Sequence, residues 1–184
     1  MDLFYGKSDG GNLGVGIAVK TDIVLTTHCA PIHINARLMR MRIPQLNKKK
    51  GTETALTVIV AHAPTDASDP EVKEAFWNAL HYEVEKTSAK DDLYVLIDGN
   101  ARLGKRLPDC DQAMKDIVGN FGRDILNDNG QRLLQLCSDT ELAINNTFFL
   151  KGFTHTFEGP SRKNAAKSHW CIDYVLTRQR CRTT

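Results

Sequence analysis

Several features are scarce or missing in this chain, and each absence narrows the reading. Cysteine is sparse and odd in number: Cys29, Cys110, Cys137, Cys171 and Cys181, with no pair in CxxC spacing. They read as reduced thiols in an intracellular protein, small and mostly buried, rather than as a disulfide framework. No apolar run approaches membrane-spanning length, so a membrane partner is not expected. The opening MDLFYGKSDGG has no basic stretch followed by an apolar run, so the expected location is nucleus or cytoplasm and not the secretory route. The glycosylation-like Asn145-Asn146-Thr147 then carries no weight. There is no internal repeat and no low-complexity block. Excess charge is missing too: 24 Lys/Arg face 22 Asp/Glu, a net +2.

The charge is unevenly placed all the same. Residues 151–184 hold seven Lys/Arg against two acids, and residues 1–150 hold 17 against 20. A basic end (Arg162, Lys163, Lys167, Arg178, Arg180, Arg182) on a near-neutral body is compatible with a polyanionic partner, and equally with ordinary solvated charge. The 184 residues are 41% hydrophobic and 25% charged, which fits one monomeric domain over 1–184 with a sizeable core.

Short apolar stretches predict strands at Leu13–Val19, Ile23–Thr26, Ala36–Ile43, Ala55–Ala61, Tyr94–Ile97, Leu142–Asn145 and Trp170–Thr177. VIVAHAPT and LYVLI are almost wholly apolar, the pattern of strands covered on both faces. Lys48-Lys49-Lys50 lies between two such stretches and predicts a hairpin loop. A helix is expected from Ser68-Asp69-Pro70-Glu71, with a Ser or Asp cap, Pro in the first turn, and an apolar stripe at Val72, Phe76, Leu80 and Val84. A second helix is expected from about Asn129 to about Thr140. Strands and helices in this order indicate a mixed α/β layered domain.

Three places carry chemistry. In LYVLIDGNA, strand alternation would put Asp98 and Asn100 on one side of the strand's carboxyl end, where open α/β sheets commonly bind ligands. The aspartate can orient or deprotonate a water or help hold a hard cation, and the amide can touch a phosphate oxygen without repelling it. Asp-Gly-Asn is also turn chemistry, and alone it reads as a turn. His62, closing the preceding strand, can donate to a phosphate or accept a proton near neutral pH, or be a satisfied strand-end imidazole. Asp173 lies in the otherwise apolar CIDYV, where a carboxylate needs a partner such as a histidine or a backbone donor.

Taken in order, FYGKSDGGNLGVGIAV (4–19), HAPT (62–65), VLIDGNARLG (95–104), NDNGQRLLQLCSDTELAINNTFF (127–149) and THTFEGPSRKNAAKSHWCIDYVLTR (154–178) resemble the ordered motifs of the endonuclease/exonuclease/phosphatase superfamily. Within it the chain is most similar to the endonuclease domains of non-LTR retrotransposons and the craniofacial-development-protein-2-like proteins derived from them. The resemblance implies a four-layer, DNase I-like α/β sandwich and hydrolysis of DNA phosphodiesters dependent on Mg²⁺ (or Mn²⁺). It implies that Asp98 activates water and contacts the metal, that Asn100 places that aspartate and the phosphate, that His62 lies beside the phosphate, and that Asp173 orients a histidine. Arg102, Asn145, Asn146 and His155 (in the family's Trp position) would bind substrate.

Departures accompany the match. Ile97 and Gly99 stand where the family has a glycine and an aromatic residue. The family's opening asparagine strand, its glutamate metal ligand and its closing Asp-His have no counterpart in these residues, with His155 and His169 as candidate substitutes for that histidine. The expectation is an incomplete domain with impaired hydrolysis. Alternatives are an inactive DNA- or protein-binding remnant and, on fold grounds alone, a small-molecule or lipid-phosphate phosphatase.

Overall fold

The computed structural model describes residues 1–6, 14–47, 52–106, 108–120, 125–149, 155–159 and 168–181. The centre is a mixed six-stranded sheet in the order β3-β4-β5-β6-β10-β7. Its strands are β3 (Ile32–Asn35), β4 (Leu38–Asn47), β5 (Thr52–His62), β6 (Asp92–Asp98), β7 (Leu142–Ile144) and β10 (Asp173–Arg178). β5 and β6 run parallel, and every other pairing in this sheet is antiparallel. A parallel pair needs a long crossover. Here α2 (Pro70–Glu85) supplies it, capped by Asp69, whose side chain accepts from the Glu71 N–H. Lys48-Lys49-Lys50 lies outside the described residues, and β4 and β5 pair antiparallel on either side of it.

Alternation along the strands separates two cores. On one face, Leu38, Ile59, Ala61, Val95, Ile97 and Leu176 meet Phe76, Trp77, Leu80 and Val84 of α2, together with Ile117 of α3 (Gln112–Ile117) and Leu133, Leu136 and Cys137 of α4 (Asp128–Asp139). On the other, Met39 and Met41 of β4 pack under Val15, Ile17 and Val19, with Ile23 and Val24 beside them. That cover is the two-stranded sheet of β1 (Asp2–Tyr5) and β2 (Gly16–Val19), followed by α1 (Thr21–Thr27). The result is an α/β sandwich.

Four sequence expectations differ from what forms. Ile23–Thr26 is helical, not extended. A four-residue run of this kind does not distinguish the two states, and here Ile23 and Val24 join the second core while the Thr27 hydroxyl donates to the Ile23 carbonyl at 2.7 Å. The α2 stripe runs Lys73, Phe76, Trp77, Leu80, Glu83 and Val84, and Val72 is exposed. β6 is not covered on both faces: its residues alternate, and Tyr94 and Leu96 remain 39% and 40% exposed. Finally, Trp170–Thr177 is two strands. β9 (Ser168–Trp170) pairs with β8 (Phe157–Gly159) as a separate hairpin, and β10 begins only at Asp173.

Candidate active site

Register brings three of the singled-out side chains abreast. His62 at the end of β5 is level with Asp98 at the end of β6, and Asp98 is level with Asp173 at the start of β10. His62 Nε2 is 3.8 Å from Asp98 Oδ2. All three line a cavity of about 510 Å³ whose apolar floor includes Val60, Leu96 and Val175. The exposed half of β6 therefore opens onto the polar row.

Each member is held by its backbone. The Arg37 guanidinium donates to the His62 carbonyl at 3.1 Å, and the His62 N–H donates to the Arg37 carbonyl at 3.0 Å. The Asp98 carbonyl accepts from the Ala63 N–H at 2.8 Å. At Asp173, the N–H donates to the Thr156 hydroxyl at 3.2 Å, and the carbonyl accepts from the Asn146 amide at 2.9 Å. Asn146 also accepts from the Val175 N–H, so its side chain replaces one rung of the ladder beside β10.

Burial is the main force raising the Asp98 carboxyl above the ordinary range. The Asn100 N–H opposes it, the Asp173 charge adds to it, and His62 opposes it. Two neighbouring carboxylates in a partly dry site repel each other, and a cation between them relieves that repulsion.

Asn100 does not share this cavity. The strand ends at Asp98, and Asn100 adopts φ 45°, a left-handed conformation that Asn tolerates better than most residues. Its N–H donates to Asp98 Oδ1 at 3.1 Å and its amide to the Ala63 carbonyl at 2.9 Å. The side chain opens onto a second hollow of about 190 Å³, shared with Arg102, Asn127, Phe157 and Trp170. Asn100 thus ties Asp98 to the loop after β5, and the strand-alternation expectation fails because the chain turns one residue too early.

The remaining candidates scatter. Arg102 sits with its guanidinium 5.4 Å from the Trp170 ring centroid. Asn145 accepts from the Thr177 hydroxyl at 3.2 Å, a sheet contact. His155 lines neither hollow and stands with Glu158 and His169. Of the basic end, Arg178 and Arg180 donate to carbonyls of residues 87–89, at the far end of β10 from Asp173. Arg162, Lys163, Lys167 and Arg182 lie outside the described residues.

Sequence reasoning missed the supports. Every residue of Asn127-Asp128-Asn129-Gly130 has a task. Asn127 caps α4 and accepts from the N–H groups of Gly130 and Arg102, both at 2.8 Å, and donates to the Asn100 carbonyl at 3.0 Å. Asp128 pairs with Lys73 and Arg132 at 2.9 and 3.1 Å. Buried Asn129 donates to the Pro64 carbonyl at 2.8 Å and accepts from the Trp77 indole at 3.1 Å. A Cβ at Gly130 would collide with the Arg102 carbonyl. The Tyr174 hydroxyl likewise reaches the Ala101 carbonyl at 3.0 Å. The signal was the motif itself, with Asn127 where a helix cap belongs, but nothing local names its partners.

Fold and site together define an α/β sandwich with an acidic, histidine-bearing row at the carboxyl ends of two parallel strands. By sequence, the chain is a distant homologue of craniofacial development protein 2. It is 30% identical over 135 residues to that protein of Bos taurus and 29% identical over 150 residues to that of Tragulus javanicus. These alignments take in 73% and 82% of the chain, and the chain spans only 22% and 24% of the length of these curated relatives. No family model matches it.

Proposed function

We propose that this chain is an endonuclease-like phosphodiesterase domain of retrotransposon descent, acting on DNA. The observation that carries the reading is the row His62–Asp98–Asp173 in one cavity. The motif resemblance supports the same chemistry, and the distant homology to craniofacial development protein 2 is consistent with it.

The oxygen donors suit Mg²⁺ (or Mn²⁺), which takes one or two carboxylates and keeps several waters. Asp98 and Asp173 would hold it, and the ion would supply charge to offset that on a phosphate oxygen. The chain's own groups do the rest. Asp98, ionised, accepts the proton of an attacking water. His62, on its flank, donates to a phosphate oxygen. Asn146 and Thr156 fix Asp173 by its backbone, so that its carboxylate stays beside Asp98. The apolar floor limits water around the row and strengthens each polar contact.

A nicking assay on supercoiled plasmid with Mg²⁺ tests this reading. Slow conversion to open circles is expected, abolished by Asp98→Ala and reduced at least ~100-fold by His62→Ala. The rate is expected to be low, because the cavity offers two carboxylates and one imidazole among the described residues, and a catalytic set lacking one member loses most of its rate. Nicking that survives Asp98→Ala would refute the assignment. DNA retention without nicking, weakening as salt rises, would instead favour a binding module.

A further inference from the structure

The β8–β9 hairpin carries a cluster that the proposed hydrolysis does not use. Glu158 stands directly opposite His169 in the antiparallel register, and His155 lies three residues before Glu158. Side chains alternate faces along a strand. Glu158 and His169 therefore share one face of the hairpin, while Phe157 and Trp170 stack on the other with ring centroids 5.9 Å apart. Glu158 Oε1 is 3.8 Å from His155 Nε2 and 3.6 Å from His169 Nδ1. The two imidazole rings lie 4.4 Å apart, and one donor atom from each residue falls within 4.8 Å of the others.

These separations are close to those of a metal's inner ligands. Bond lengths of about 2.0–2.2 Å to nitrogen and oxygen put neighbouring tetrahedral donors roughly 3.3 Å apart. Two of the three edges therefore need to shorten by only about half an ångström to reach that spacing. The three side chains are partly exposed, which leaves a water to complete the shell. Two imidazoles and one carboxylate suit Zn²⁺, unlike the oxygen-only pair at Asp98 and Asp173.

We propose that His155, Glu158 and His169 form a Zn²⁺-class transition-metal site that clips β8 to β9. The hairpin pairs over only three residues on each strand, and a two-stranded hairpin is marginal by itself. A bound ion fastens it. Thr156 lies between two clipped positions, and its hydroxyl accepts from the N–H groups of Ile172 and Asp173 at 3.0 and 3.2 Å. The clip therefore also fixes the start of β10. The three ligands lie outside the cavity, and metal binding there does not depend on hydrolysis.

The test is titration of the chelator-treated chain with Co²⁺ and Zn²⁺, followed by calorimetry and by the visible d–d bands of Co²⁺. One equivalent of Co²⁺ is expected to bind in a four- or five-coordinate site, to be displaced by Zn²⁺, and to survive excess Mg²⁺. His155→Ala and His169→Ala should each weaken binding at least ~10-fold, and Asp98→Ala should leave it unchanged. If circular dichroism shows a histidine variant unfolded, Glu158→Gln, at an exposed position, takes its place. Affinity unaltered in these variants, loss of the site in Asp98→Ala, a cobalt–thiolate charge-transfer band, or no binding at all would overturn the proposal.

Discussion

At Asp98 the fold and the chemistry pull in opposite directions. Burial, with Asp173 adding to it, raises the carboxyl above its ordinary range, so the folded state holds the proton more tightly than the unfolded chain. By linkage, the ionised group costs stability. The cost is absent below the unfolded value, appears as pH rises towards the folded value, and persists above it. Asp98→Asn should therefore unfold at higher urea than the parent at neutral pH, and that advantage should vanish in acid. A parent and variant of equal stability at neutral pH would contradict this account of the residue. The candidate itself was legible, because a carboxylate closing an apolar strand stands out. His62 and Asp173 were named too, but their grouping rested on the motif resemblance, since abreast placement of the three depends on a parallel register and on β10 landing beside β6, and neither is a local property.

Among the elements, α4 does more than cover the sheet. Its first turn is the buttress of the loops on either side of the site, and Asn129 is its most enclosed member, bridging Pro64 and Trp77. Asn129→Ala leaves an indole N–H and a carbonyl buried without each other's bridge. Each such orphan costs about 1–3 kcal/mol, so a loss of about 3 kcal/mol in urea unfolding is expected. A loss under about 1 kcal/mol would mean that water replaces the amide. Sequence reading placed the start of α2 and both ends of this helix to within a residue or two, because a cap with its proline and clustered apolar residues are local signals. It failed for α1, whose β-branched run is extended by propensity and helical by packing. It also missed β3, Ile32-His33-Ile34-Asn35, an edge strand too short and polar to announce itself.

Across the whole molecule, buried charge ties the antiparallel half of the sheet to the parallel crossover, at Glu83 of α2 beside Arg40 of β4 and at Asp91. Asp91, just before β6, accepts from the Arg42 guanidinium at 2.8 and 3.1 Å and from the Thr57 hydroxyl at 3.1 Å. Those bonds, the Arg42 bond first, hold its carboxyl below the ordinary range. The contribution is present above the unfolded value and lost as pH falls through the folded one. Arg42→Met strands a buried carboxylate, and a loss of about 3 kcal/mol at neutral pH is expected in thermal or urea unfolding. An unchanged midpoint would show the carboxylate rehydrated. The mixed α/β layered class was readable from the order of strands and helices, and the sandwich only through the motif resemblance, but the strand order was not. β10 is the last strand of the sheet in the chain, yet it lies between β6 and β7. On a ribosome adding about 5–20 residues per second, the stretch from β7 to β10 takes seconds to emerge. Through that interval β6 shows a bare edge, β7 lacks its sheet partner, and Asp98 has no Asp173 beside it. The nascent chain thus passes through a stage in which the strand bearing its candidate acid is also its most exposed template for mispairing, and any chaperone that attends this fold has most to cover there.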